Sequence, residues 1–180
     1  MPGEIKSELQ LLQSELKQVE YRFIRWVASE SIHLTLKFLG NVSRQMMGDI
    51  SESVRKGSQG VSPFKLGIGE LGVFPDMRSP RVLWVGIHGD LDKLRDLQQG
   101  IDSALVPLGF TVEKRPFTPH LTLARLREGT SPVERQSFGK LVMNTTFDSK
   151  YEIPVKSLSL MQSQLSPSGA VYSRLDEIEL

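Results

Sequence analysis

Two stretches of this 180-residue chain, Ser31-Ile-His-Leu-Thr-Leu-Lys-Phe-Leu-Gly40 and Pro119-His-Leu-Thr-Leu-Ala-Arg-Leu126, share the tetrapeptide His-Leu-Thr-Leu. The chain has three histidines, and two of them, His33 and His120, lie in this motif. Both stretches alternate apolar and polar residues, the pattern of a strand with one buried face. Parity predicts that His33, Thr35 and Lys37 share one face while Ile32, Leu34, Leu36 and Phe38 enter the core. In the second copy Leu121 and Leu123 face the core, and His120, Thr122 and Ala124 share the other side. Each motif therefore aims an imidazole and a hydroxyl in one direction.

The two histidines are 87 positions apart, and the same offset relates their surroundings. Upstream of the first, Ile5, Leu9, Leu12, Leu16 and Val19 form one apolar stripe at helical spacing. Leu94, Leu97, Ile101, Leu105 and Leu108 repeat it, with Asp90 as N-cap and Gly109 as terminator, and Pro107 ending the helix a turn early. Downstream, Ser43–Lys56 and Ser131–Lys140 read as helices. Strands follow at Phe64–Val73 and Tyr151–Leu160, and a further pair at Arg81–Ile87 and Ala170–Ile178. Loops rich in Pro, Gly and Ser join these pairs at Pro75–Pro80 and Ser163–Gly169.

The expected architecture is thus a duplicated α+β fold of two lobes, approximately 1–80 and 81–180, within one domain spanning 1–180. Terminal strands can be exchanged between the lobes in such a duplication. A pseudo-twofold axis would let the two polar strand faces meet across a central cleft. The repeat also places the counterpart of strand Arg81–Ile87 before Met1. Either the chain starts late or the first lobe lacks an edge strand, which would leave an unpaired sheet edge beside residues 32–39.

Composition narrows the function. Apolar and charged fractions of 39% and 24% are those of an ordinary soluble protein, and a net charge of +1 argues against a basic surface for long nucleic acid. The absence of cysteine excludes disulfides, thiolate zinc sites and cysteine nucleophiles. No apolar run approaches a membrane span and no signal-peptide layout is present, so a soluble cytoplasmic monomer without membrane association is expected.

Two histidines without a carboxylate nucleophile suit in-line attack on a phosphodiester. One neutral imidazole takes a proton from water while the other, as imidazolium, protonates the departing oxygen. The hydroxyls of Thr35 and Thr122 can donate to non-bridging oxygens as charge builds up there. A metal site is the chemical rival, but there is no His-x-His, no acidic residue in register, and Thr is a poor ligand, so no metal and no cofactor is expected. His88, in Gly86-Ile-His-Gly-Asp, reads as a turn residue.

His-x-Thr-x once per lobe is similar to the signature of the two-histidine (2H) phosphoesterases. The strings RWVASESIHLTLKFLGNV and FPDMRSPRVLWVGI with PFTPHLTLARL resemble the LigT-type RNA 2′,3′-cyclic phosphodiesterases, also called 2′-5′ RNA ligases. The resemblance runs along almost the whole chain. It implies two antiparallel sheets flanked by helices around a central cleft. It implies hydrolysis of RNA 2′,3′-cyclic phosphate ends to 2′-phosphomonoesters, with 2′-5′ joining as the reverse geometry.

By the same resemblance His33 is the proton donor, His120 the proton acceptor, and Arg125 a phosphate-binding residue. Regular strand parity opposes the last assignment unless a bulge turns Arg125 inward. Lys37 has the right parity to join the site or to be a solvated rim charge. Phe74, Arg81 and Phe117 lie in family-like segments where base stacking competes with core packing. Family chains begin with a short strand reading Arg-x-Phe-Ile-Ala-Ile, which this sequence does not contain at its start. Two other functions fit the residues: a phosphodiesterase for small cyclic nucleotides or cyclic ADP-ribose phosphate, and a non-catalytic RNA-end binding module.

Overall fold

The computed structural model of the protein describes residues 1–18, 21–166 and 169–180. Its helices are α1 (Gly3–Leu16), α2 (Met47–Gly57), α3 (Leu91–Leu105) and α4 (Pro132–Met143). Its strands are β1 (Ile24–Trp26), β2 (Phe64–Phe74), β3 (Val82–Gly89), β4 (His120–Leu126), β5 (Asp148–Val155), β6 (Ser157–Ser166) and β7 (Gly169–Glu179). They form two antiparallel sheets, one of order β1-β4-β3-β2-β5 and one of β6 with β7. The α+β architecture and the repeated element order follow the sequence pattern. Val19 of the expected stripe and residues 167 and 168 of the expected loop lie outside the described residues, and the rest of that loop is strand instead, Ser163 to Ser166 in β6 and Gly169 in β7.

The chain divides into two compact units of three segments each. The first comprises Met1–Leu34, Gly67–Gly89 and Pro119–Ile153, the second Thr35–Leu66, Asp90–Thr118 and Pro154–Leu180. Each unit takes a helix from both repeats: α1 and α4 belong to the first, α2 and α3 to the second.

The first unit is built on the five-stranded sheet. Its core comprises Leu83 and Val85 of β3, Leu121, Leu123 and Ala124 of β4, the α1 residues Ile5, Leu9, Leu12 and Leu16, and Phe138 of α4, all buried. Each of these side chains other than that of Ala124 contributes about 1.5–3 kcal/mol on burial. Helix α1 also buries Gln13, whose amide donates to the carbonyls of Val27 at 2.8 Å and Leu123 at 3.0 Å. Helix α4 opens with a capping box, the Ser131 hydroxyl accepting from the Glu134 N–H at 3.3 Å and the Glu134 carboxylate accepting from the Ser131 N–H at 2.8 Å.

In the second unit α2 and α3 cross where Gly57 meets Gly100. A Cβ on Gly57 would lie 2.6 Å from the Gly100 carbonyl oxygen, so only glycine permits this approach. Ile50 and Val54 of α2 and Leu94, Leu97, Ile101 and Leu105 of α3 are buried. Helix α3 gives way to a 3₁₀ turn at Val106–Leu108, where Pro107 falls, and Gly109 ends it at φ 89°. Asp90 occupies the N-cap position but its carboxylate accepts from the Lys65 N–H instead, at 3.2 Å.

Several expectations are corrected. The segment 31–40 is not a strand; among the described residues it forms one isolated antiparallel bridge, between Leu34 and Leu121. A strand persists only where a neighbour satisfies its N–H and C=O groups, and among the described residues no ladder runs beside 35–40. The expected open edge at 32–39 is therefore not formed as a strand edge. Parity holds at Ile32, which is buried, and at Leu34, which bridges the buried Leu121, but for the same reason it fails beyond them: Leu36 is half-buried and Phe38 is 84% exposed. Finally, the expected strand Tyr151–Leu160 is two strands, broken at Lys156.

Candidate active site

The second motif lies in β4, between β1 and β3. Strand β3 pairs with it antiparallel: Val82 with Arg125, Leu83 with Ala124, Trp84 with Thr122, Val85 with Leu121 and Gly86 with His120. One step along β3, from Leu83 to Trp84, spans two on β4 and skips Leu123. This is a β-bulge, and it reverses the parity of everything after it.

The consequence can be read from β3, which has no extra residue. Val82, Trp84 and Gly86 alternate onto one face, so their partners Arg125, Thr122 and His120 share that face. Leu83 and Val85 take the other with Ala124 and Leu121, all no more than 1% exposed. Ala124 was expected beside His120 and Thr122; the bulge sends it into the core instead. The same bulge removes the parity objection to Arg125. Gln13 braces the spot, because the Leu123 carbonyl it contacts belongs to the bulged residue.

His120 is half-buried among rings. The Phe74 ring meets it edge-on at 5.0 Å between centroids, and the Trp84 ring stands 6.3 Å away. Phe74 and Trp84 are 5.2 Å apart. Phe74 thus packs against the imidazole itself, where the sequence pattern leaves core packing and base stacking both open. Trp84 is a site residue that motif reading misses; its signal is the alternation of Val82-Leu-Trp-Val-Gly, meaningful only once β3 is known to lie beside β4.

His33 is exposed and held differently. Its Nδ1 lies 2.7 Å from the Ser31 carbonyl oxygen, and since a carbonyl only accepts, Nδ1 carries the hydrogen. Nε2 is then the atom that gives or takes a proton. The Leu34–Leu121 bridge is antiparallel, so it sets His33 beside Thr122 across the strand gap. The first unit therefore brings together His33, His120, Thr122 and Arg125. Thr35 follows as the first residue of the second unit and is half-buried.

Lys37 is not at the site. Its ammonium pairs with the Asp102 carboxylate of α3 and donates to the Thr111 carbonyl at 2.8 Å. Both side chains of the pair are under 10% exposed. Asp102 is held further by the Glu113 N–H at 3.0 Å. The absent strand explains the difference, since without a ladder nothing holds Lys37 in phase with His33. Arg81 is engaged through its backbone, its N–H donating to Phe74 and its carbonyl accepting from Leu126. Phe117 is half-buried in the second unit.

Several known proteins resemble this chain in sequence and fold. The RNA 2′,3′-cyclic phosphodiesterase of Methanothermobacter thermautotrophicus is 31% identical over 176 residues, covering 98% of this chain and 92% of that protein. That of Aeropyrum pernix is 33% identical over 156 residues, covering 87% and 86%. The crystal structure of TT0787 of Thermus thermophilus superposes with a TM-score of 0.79 at 25% identity, covering 100% of this chain and 93% of the other. E. coli LigT complexed with 3′-AMP gives 0.77 at 25% identity, with the same coverage. The model of the LigT-like phosphoesterases matches twice in succession, over residues 1–84 and 85–172. The first match holds one copy of the motif, at His33, and the second the other, at His120, and this chain belongs to the LigT-like phosphoesterases.

Proposed function

We propose that the protein hydrolyses RNA 2′,3′-cyclic phosphate ends to 2′-phosphomonoesters, using His120 as proton acceptor and His33 as proton donor. The observation that carries this reading is the bulge in β4, which aligns Arg125 with His120 and Thr122 on one sheet face beside His33. The names of the curated relatives supply the substrate class, and E. coli LigT is seen with a nucleoside monophosphate, 3′-AMP.

In this reading Arg125, Thr122 and Thr35 hold the non-bridging phosphate oxygens. Water attacks phosphorus in line with the bond to O3′. His120 takes the proton from the water as the new P–O bond forms. The P–O3′ bond breaks, and His33 Nε2 delivers its proton to O3′, leaving phosphate on O2′. The Ser31 carbonyl, by fixing Nδ1–H, keeps Nε2 turned outward for this transfer. Each histidine ends in the other's starting state, and exchange with water resets them.

The test offers an RNA oligonucleotide ending in a 2′,3′-cyclic phosphate and identifies the product by phosphorus NMR. A 2′-phosphate, a bell-shaped pH dependence of kcat/KM and a rate unchanged by EDTA are expected. A 3′-phosphate would reverse the leaving oxygen, and loss of activity in EDTA with recovery on zinc would overturn the two-histidine mechanism.

A further inference from the structure

The sheet face that carries His120 continues across β3 and β2 through two glycines, Gly86 and Gly69, with Trp84, His88 and Asp148 packed around them. Gly86 pairs with His120. Beyond it lies Gly69 of β2, whose carbonyl oxygen would stand 3.0 Å from a Cβ on Gly86. Any side chain at 86 would therefore press on the neighbouring strand and block this track. At its far end two polar groups converge over Gly69. A Cβ placed there would lie 2.9 Å from Asp148 Oδ1 and 3.6 Å from both Nε2 and Cδ2 of His88. The rest of the His88 ring fills the space that a side chain on Gly67 would need. His88 is thus no plain turn residue: it is the last ring on the His120 face of β3, exposed, with one edge turned toward an exposed carboxylate.

We infer that His88 and Asp148 form a base-recognition subsite selecting guanine next to the scissile phosphate; the inference rests on the proposed placement of that phosphate at His120. Gly69 is two strands from His120, about 10 Å at the usual interstrand spacing. A nucleotide laid from its cyclic phosphate to its base edge spans a comparable length, and with glycine at 86 no side chain of that residue stands between the two ends. The polar pattern is a donor beside a two-oxygen acceptor. Guanine presents the complement on one edge: O6 accepts from His88 Nε2–H, while N1–H and the N2 amino group donate to the two oxygens of Asp148. Adenine and cytosine offer one exocyclic amino group beside an acceptor, and uracil a single N–H between two acceptors. None of the three fills both carboxylate oxygens.

The experiment compares the four nucleoside 2′,3′-cyclic monophosphates with the full chain. Wild type is expected to favour the guanosine compound by about tenfold in kcat/KM, within the range of a bidentate base contact. Asp148→Asn should remove that preference while changing the other three less than twofold, and His88→Ala should reduce it in part. Equal turnover of all four by wild type, or a parallel loss on all four in Asp148→Asn, would overturn the subsite. Should none be hydrolysed, the RNA oligonucleotide assay still tests the proposed function, and calorimetry with guanosine and adenosine 2′-monophosphates still reads the subsite. Guanosine-selective binding abolished by Asp148→Asn supports it, and equal binding overturns it.

Discussion

The two copies of His-Leu-Thr-Leu are identical in sequence and unlike in structure. Residues 120–123 run through an inner strand, flanked by β1 and β3, with Leu121 and Leu123 buried. In the first copy Leu34 forms an isolated antiparallel bridge to the same sheet and the residues around it form no strand. His120 packs against Phe74 and Trp84, while His33 is hydrogen-bonded through Nδ1 to the carbonyl of Ser31 two residues back. The difference shows that a local pattern sets which residues can alternate, while neighbouring strands decide whether they do.

The comparison breaks first at catalysis. If both imidazoles transfer protons, His33→Ala and His120→Ala should each lower kcat by about 10²–10⁴-fold with unchanged circular dichroism. A His33 variant retaining wild-type turnover would reduce the first copy to a structural relic. Sharper still is Ser31→Pro: it keeps the carbonyl that orients His33 but alters the turn presenting it. It should lower kcat more than any equivalent change before His120, whose ring is held by side chains.

The residues after each Thr diverge as well. At offset 87 Lys37 corresponds to Ala124, and both left the positions that alternation predicts. Ala124 is drawn into the core by the bulge, Lys37 onto the Asp102 carboxylate. Removing one partner of a buried ion pair costs about 3–5 kcal/mol, although the Glu113 N–H still serves Asp102. Lys37→Ala should therefore cost about 3 kcal/mol in urea denaturation and leave turnover per folded molecule intact. A loss of kcat without a loss of stability would return Lys37 to the site.

Much of this was legible in the residues alone. Helical spacing located α1 and α3, and the 87-residue offset located both motifs, because each signal is local. The bulge was not, since Leu123-Ala124 reads equally as a pleat with one small exposed residue. Only the count of residues on β3 reveals the skip. Gln13 hid for a related reason: it sits in an apolar stripe, and its purpose depends on carbonyls 14 and 110 residues away. Gln13→Ala should cost about 1–3 kcal/mol for the buried carbonyls it leaves less satisfied. Because it braces the bulge, it should also raise KM toward the value of Arg125→Ala. A stability loss with KM unchanged would separate the bulge from Gln13.

The smallest contrast lies downstream, where each repeat enters its second helix after a serine. Ser131 closes a capping box with Glu134, whereas Ser43 makes no side-chain cap at the turn before α2. Ser131→Ala should thus cost about 1 kcal/mol and Ser43→Ala less than half of that, both read by thermal denaturation. The pH dependence follows from Glu134, whose carboxyl is held below its usual value by the Ser131 hydroxyl and then by the Ser131 backbone N–H. A carboxyl lowered in the folded state contributes stability above its unfolded pKa, and that contribution is lost as pH falls through the folded value. The gap between wild type and Ser131→Ala should accordingly narrow in acid, below the usual carboxylate range, while the Ser43 variant tracks wild type throughout. A gap that stayed constant would mean that the hydroxyl bond to the Glu134 N–H carries the whole cap and that the carboxylate contributes nothing to the asymmetry between the repeats.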